Sequence, residues 1–197
     1  MKFDTSQNII LENDRVRLTP LTKAHFKILL PFSENEPELW TYSLVSGSGS
    51  ENLKKYMDHA FKKRESGDSY PFLVFDKATQ QYAGSTRFYD IQQQHNTLQL
   101  GYTWYGKDFQ GTGLNKHCKF LLLSYAFETL NAARVEFRAD AKNARSIAAM
   151  KRIGCTVEGI LRSNCAGPTG RRDSIVLSIL KNEWDNNKKG QLKTQLQ

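Results

Sequence analysis

Three strand-like segments between Tyr70 and Tyr105 lead directly into a glycine turn and a long apolar helix. The segments read YPFLVFD, YAGSTRFYDI and TLQLGYTWY, and the short, turn-like stretches KATQQ and QQQHN separate them. Connections this short favour antiparallel neighbours, so we expect a meander. The helix, from Leu114 to about Leu130, carries its apolar residues at three- and four-residue spacing. The chain is therefore neither all-α nor all-β.

The remaining segments extend this pattern on both sides. RVRLTPL, ARVEFRAD, CTVEGILRS and RDSIVLSIL have strand character, with CAGPTGR as a loop between the last two. KAHFKILLPF, ENLKKYMDHAFKKRE and NARSIAAMKRIG have helical periodicity. No linker is long enough to divide the chain, so we expect one α+β domain over residues 1–185. Residues 186–197 are polar and predict a frayed tail.

Composition restricts the cellular location and the partners of the protein more than its function. The chain has 197 residues, three cysteines without C-x-x-C spacing and a formal net charge of +8. An odd number of cysteines and the lack of an apolar N-terminal stretch or a membrane-length segment predict a cytoplasmic protein with reduced thiols and no membrane partner. The positive residues are spread along the chain and form no basic segment. A nucleic-acid-binding function is supported only by the net charge, and we rank this hypothesis last. No histidine pair has metal-ligand spacing, and we expect no metal.

The turn QGTGLN has the character of an anion site. Free N–H groups at a helix start attract anions, and Gly111 and Gly113 allow the backbone to approach a phosphate closely. The P-loop pattern is absent, and a dinucleotide fingerprint would need a third glycine where Lys116 stands. At this point a tight strand-to-helix connection without a ligand explains the turn equally well.

A second segment, NARSIAAMKRIGCTVEGILR, follows about 30 residues later, and the pair resembles the GNAT superfamily of N-acetyltransferases. Gln110 and Gly113 match the family's [QR]-x-x-G-x-[GA] signature, although Asn115 replaces its last small residue. The second segment matches N-x-x-S…K-x-G-F…E-G, with Cys155 in place of the aromatic residue. Within the superfamily, NKHCKFLLLSYAFE and RRDSIVLSILKNEW are similar to the ribosomal-protein-alanine acetyltransferase branch.

The resemblance implies a largely antiparallel, twisted sheet flanked by helices, whose fourth and fifth strands splay apart. Acetyl-CoA would enter this splay with its pyrophosphate on the turn, and dimers are common among relatives. The implied cofactor-binding residues are Trp104, Gln110, Gly111, Thr112, Gly113, Leu114, Asn115, Lys116, Asn143 and Ser146.

The catalytic residues of the family are only partly present. Gln99 occupies the position of the glutamate base, and an amide cannot accept the proton at neutral pH, so Gln99 would orient water or substrate. Another carboxylate or solvent must then be the base. Lys151 occupies the position of the tyrosine acid, which leaves Ser146 to meet the departing thiolate. The alternatives are structural: Asn143 as a helix cap, Ser146 bonded to backbone, and Gln99 on a solvated strand face.

These residues predict an N-acetyltransferase that acts on a primary amine, either a protein α-amino group, including that of a ribosomal protein, or a small molecule. Attack would be direct, in a ternary complex with acetyl-CoA. The missing glutamate and tyrosine keep a non-catalytic acyl-CoA-binding or regulatory module as the alternative. Loops around a fixed cofactor site usually set specificity, so we expect segment 33–50, with Trp40 and Tyr42, and loop 164–172 to contact the acceptor.

Overall fold

The computed structural model describes residues 1–167 and 170–196, and its centre is a mixed sheet of eight strands. The strand order is β1-β2-β3-β4-β5-β6-β8-β7. The strands are β1 (Leu11–Glu12), β2 (Val16–Pro20), β3 (Ser69–Asp76), β4 (Gln81–Gln92), β5 (Thr97–Tyr105), β6 (Arg134–Asp140), β7 (Thr156–Gly167) and β8 (Gly170–Leu180). The predicted meander is confirmed, because β3, β4 and β5 pair antiparallel in sequence order.

Helices cover both faces of this sheet. They are α1 (Phe26–Asn35), α2 (Ser50–Glu65), α3 (Leu114–Ser124) and α4 (Ala144–Arg152), and a π-helical turn, Tyr125–Thr129, extends α3. None of the helices in the described ranges is both long and apolar enough to cross a bilayer.

Two hydrophobic clusters lie on opposite faces of the sheet, as the alternation of strand residues requires. In β3, Phe72 and Val74 belong to the larger cluster with α3 and α4, whereas Leu73 belongs to the smaller one with α1 and α2. We refer to these as the α3 face and the α2 face. The same alternation places Leu98 on the α3 face and makes the side chain of Gln99 an α2-face group.

The predicted splay lies between β5 and β6, which form the parallel pair of the sheet. Their pairing begins at Thr97 with Arg134 and ends at Gln99 with Glu136, so in the described part of the chain the rest of β5 has no strand partner on that side. These are the fourth and fifth strands when the two-residue β1 is left out.

Two expectations were wrong. The end of the chain is helical through Trp184–Lys188 and Lys189–Thr194, and Leu192 is 1% exposed. The expected frayed tail therefore packs on the domain. CAGPTGR is mostly a strand hairpin, because β7 continues to Gly167 and β8 begins at Gly170. Residues 168 and 169 of the predicted acceptor loop lie outside the described residues.

Candidate active site

The glycine turn between β5 and α3 carries unpaired backbone donors. Gly111 and Gly113 have φ of 77° and 86°, in the left-handed region that favours glycine. A Cβ on either residue would meet nothing within 4 Å, so the space beside the turn is open. Within the described ranges, the N–H groups of Gly111, Thr112 and Gly113 donate no hydrogen bond. At a helix start, such donors suit an anionic ligand.

Gln110 connects this turn to the start of α4. Its Nε2 donates to the carbonyl oxygen of Tyr105 at 2.8 Å, and its Oε1 accepts from the guanidinium of Arg145. The bond to Arg145 holds the turn and α4 on the same side of the opening.

The side chains of the other turn residues are hydrogen-bonded or buried within the domain. Thr112 Oγ1 donates to the carbonyl of Phe109 at 2.9 Å, and Asn115 Oδ1 accepts from the Tyr105 hydroxyl at 3.1 Å. Leu114 is fully buried. The cofactor contacts predicted for these residues would therefore be made by backbone groups.

Two of the predicted residues at the edges of the turn differ in accessibility. Lys116 is half-buried on the first turn of α3. Trp104 is 6% exposed and packs on the α2 face against Trp40, at 5.0 Å between ring centroids, and Phe32, at 5.9 Å. Its indole is thus buried in the α2-face core, and the backbone of Trp104 is the part suited to a cofactor contact.

Asn143 caps α4, as its structural interpretation predicted. Its Oδ1 accepts from the backbone N–H of Ser146 at 3.0 Å. The Ser146 hydroxyl makes no hydrogen bond with the described residues and is half-buried. It therefore remains available to a ligand beside the glycine turn.

Gln99 is not on a solvated strand face: it is 7% exposed, and that alternative was wrong. Its Nε2 donates to Asp90 Oδ2 at 2.7 Å, while its buried Oε1 has no hydrogen-bond partner among the described residues. Asp90 has a left-handed φ of 48° at the end of β4. A carboxylate thus lies one hydrogen bond from the expected glutamate position, at the point where the splay begins. Asp90 was not among the predicted site residues, because no local pattern links it to Gln99. Only the pairing of β4 with β5 brings the two side chains together.

A cavity of about 200 Å³ lies on the α2 face next to this pair. Inside it, the Arg87 guanidinium stacks between the rings of Tyr56 and Tyr102, at 4.7 Å and 4.1 Å. Burial raises the pKa of Tyr102, which keeps its hydroxyl neutral. The lining combines two carboxylates with cationic and phenolic groups: His59, Lys63, Asp68, Ser69, Arg87, Tyr89, Asp90 and Tyr102.

The two segments predicted to contact the acceptor meet in the structure. Arg172 of β8 donates from Nη1 to the carbonyl oxygen of Tyr42 at 3.5 Å, and Tyr42 is 40% exposed. Trp40, from the same prediction, is 4% exposed and belongs to the α2-face core. Trp40 therefore supports the fold, and Tyr42 is accessible to an acceptor.

The sequence profile of the acetyltransferase (GNAT) domain matches residues 15–156. This chain belongs to the GNAT family of acetyltransferases. The match includes the glycine turn, the Gln99–Asp90 pair and α4.

Individual relatives agree with this assignment. "Putative ribosomal N-acetyltransferase YdaF" of Bacillus subtilis (strain 168) is 32% identical over 105 residues, 53% of this chain and 57% of that protein. The match thus spans little more than half of the relative's length. A crystal structure of a GCN5-related N-acetyltransferase from Brucella melitensis has a TM-score of 0.88 at 26% identity, with 97% of this chain and 86% of that chain covered.

A more distant structure is similar in fold alone. It is RimL, described as a ribosomal L7/L12 α-N-protein acetyltransferase in complex with coenzyme A, at 18% identity and a TM-score of 0.77, with 89% of this chain and 99% of that chain covered.

Proposed function

We propose that this protein transfers the acetyl group of acetyl-CoA to a primary amine by direct attack in a ternary complex. The observation that carries the proposal is the opening between β5 and β6, which lies beside the unpaired N–H groups of the glycine turn. A phosphate-bearing thioester needs both an anion site and an extended slot, and positioning alone supplies much of the rate of acyl transfer. Acetyl-CoA, when bound, supplies the activated acyl group.

In this proposal the backbone of Gly111, Thr112 and Gly113 binds the pyrophosphate, and Lys116 adds positive charge. The unpaired backbone edge of β5 would hold the pantetheine as a further strand does, and Ser146 would lie near the sulfur. The complex of RimL with coenzyme A supports a coenzyme A site in this fold.

The acceptor would approach from the α2 face. Asp90 is our candidate for the base that removes a proton from the attacking amine, and Gln99 would orient it through the 2.7 Å hydrogen bond. The unpaired Oε1 of Gln99 is a buried acceptor suited to an amine N–H. Lys63 pairs with Asp68 at 2.8 Å, so Asp90 is the carboxylate of the cavity that favours a ligand arriving as an ammonium ion. A protein N-terminal α-amino group or a small amine fits this charge, and the name of the Bacillus subtilis relative favours a ribosomal protein.

Thiol release from acetyl-CoA with a panel of N-terminal peptides and small amines tests the proposal. Intersecting initial-rate lines for the two substrates are expected, since both must be bound before reaction. Tight binding of acetyl-CoA without thiol release for any amine would instead indicate the non-catalytic acyl-CoA-binding module.

Ser146→Ala is expected to lower kcat about tenfold and to leave the KM for acetyl-CoA within about twofold, because a lost transition-state contact reduces kcat rather than ground-state binding. Steady-state kinetics against acetyl-CoA measures both. The cap is separate: Asn143→Ala should reduce the free energy of unfolding by about 1 kcal/mol. An unchanged kcat for Ser146→Ala would make the hydroxyl a structural group.

A further inference from the structure

Lys119 is a buried lysine on the α3 face of the sheet, beside the splay. The cavity lined by Asp68 and Asp90, which we call the acceptor cavity, lies on the opposite face. It lies on α3 and is 5% exposed. Its Nζ donates to Thr103 Oγ1 at 2.8 Å and lies 3.5 Å from Thr86 Oγ1. The centre of the Phe137 ring is 6.0 Å away. The pairing of β5 with β6 ends at Gln99 and Glu136. Thr103 lies further along β5, and Phe137 is the next residue of β6. The amine therefore lies over β4 and β5 on the α3 face, and it faces the ring of Phe137 on the diverging strand β6.

No carboxylate of the described chain pairs with this amine. The titratable neighbours are the thiols of Cys118 and Cys155, and burial raises the pKa of each to about 12, so both are neutral. Burial lowers the pKa of Lys119 to about 8. A desolvated cation without an anion destabilises the fold, and folds retain such groups where function uses them.

The two faces of the splay offer different chemistry. Asp90 and Gln99 lie on the α2 face with the acceptor cavity, whereas Lys119 and Thr103 lie on the α3 face. An amine that attacks an acyl group in the splay from the α2 face would direct the sulfur towards the α3 face. An ammonium group there can meet the charge that develops on the sulfur.

We propose that the ammonium group of Lys119 donates the proton to the departing thiolate of coenzyme A. This inference rests on the acetyl transfer proposed above. The amine nitrogen bonds to the acyl carbon, the carbon–sulfur bond breaks and its electron pair goes to sulfur. Lys119 Nζ transfers a proton to that sulfur, and Asp90 takes the proton lost by the amine. After product release, Lys119 regains a proton from solvent and Asp90 releases its proton to solvent. Ser146, a far weaker acid, would hydrogen-bond the same sulfur.

Lys119→Met removes the acid and keeps the apolar stem. We expect kcat to fall about 100-fold, with the KM for acetyl-CoA within about threefold. Wild-type kcat should decline as pH rises through about 8, because the acid must be protonated, and the variant should lose that decline. Lys193→Met, at an exposed lysine of the C-terminal helix, is the matched control and should behave as wild type. The Tm of Lys119→Met should not fall, because replacing a buried charge with an apolar group removes a desolvation cost.

A second measurement needs no turnover. The thiol of coenzyme A bound to the wild-type protein should have a pKa at least about one unit below that of free coenzyme A, because a nearby cation favours the thiolate. Ultraviolet absorbance of the thiolate during a pH titration reports it, and Lys119→Met should abolish the difference. A bound thiol that titrates as free coenzyme A does, or a Lys119→Met enzyme with wild-type kcat, overturns the inference. Absence of thiol release by the wild type would refute the acetyltransferase proposal instead. The titration would still show whether Lys119 lies next to the sulfur of bound coenzyme A.

Discussion

Gly113→Asp is expected to weaken acetyl-CoA binding by about 1,000-fold or more, which corresponds to roughly 4 kcal/mol. The side chain would enter the open space beside the unpaired N–H groups, where we place the pyrophosphate. Two unit charges about 4 Å apart near a protein surface interact by roughly 4 kcal/mol, so one carboxylate is sufficient for this loss. Isothermal titration calorimetry with acetyl-CoA measures it directly.

Gly113→Asn separates charge from backbone strain. Asparagine has nearly the same size as aspartate and tolerates the left-handed conformation that Gly113 adopts, with φ of 86°. We expect Gly113→Asn to lose about tenfold or less in affinity. Equal losses in the two variants would trace the effect to shape, and wild-type affinity in Gly113→Asp would show that the turn does not hold the pyrophosphate.

Elements with strong periodicity were predictable because their signals are local. The spacing in α2 predicts an apolar stripe of Leu53, Tyr56, Met57, Ala60 and Phe61; the first four are buried, and Phe61 is partly buried. Asn143 caps α4, and Gly113 adopts the conformation that only a few residue types accept readily. Such features depend on neighbours within about four residues, which the sequence displays directly.

The irregularity in β5 was not predictable, and it determines which side chains face which side of the sheet. Simple alternation would put Gly101 and Thr103 on one face. The pairing with β4 instead shifts register between Ser85 and Arg87, and Tyr102 has a φ of 48°. As a result Gly101 lies against Tyr89, whereas Thr103 points to Lys119 on the opposite face. A bulge of this kind is fixed by pairing with a partner strand, which periodicity does not report.

Burial of polar groups was also hidden. Lys119 is buried next to Cys118, which lies on the apolar stripe of α3. A lysine is ordinarily exposed, so the sequence does not predict this burial. The polar segment around Leu192 has no apolar stripe of helical spacing, yet Leu192 packs into the α3-face core. In both cases tertiary contacts decide the environment, and hydropathy along the chain does not.

Asp90→Asn is expected to lower kcat about 1,000-fold, with the KM for acetyl-CoA within about threefold, because an amide cannot accept the proton of the attacking amine. The substitution preserves size, and the amide oxygen can still accept the hydrogen bond from Gln99 Nε2, whereas the bond that Asp90 Oδ1 accepts from Gln92 Nε2 at 2.9 Å is lost. Steady-state kinetics with the best amine of the panel measures the loss. A fall of threefold or less would leave solvent as the base.

Exchanging the two side chains provides the sharper test of this pair. In Asp90→Asn with Gln99→Glu, the carboxylate moves to the position that the family resemblance assigns to a glutamate base, and the amide moves to Asp90, so a hydrogen bond can still join them. We expect the double variant to recover at least about tenfold of the lost kcat, since a positioned carboxylate is restored beside the splay. Gln99→Glu alone places two carboxylates at the 2.7 Å contact and should lower the free energy of unfolding through like-charge repulsion. If the double variant is as slow as Asp90→Asn, the proton is removed elsewhere, and Asp90 positions the acceptor without taking its proton.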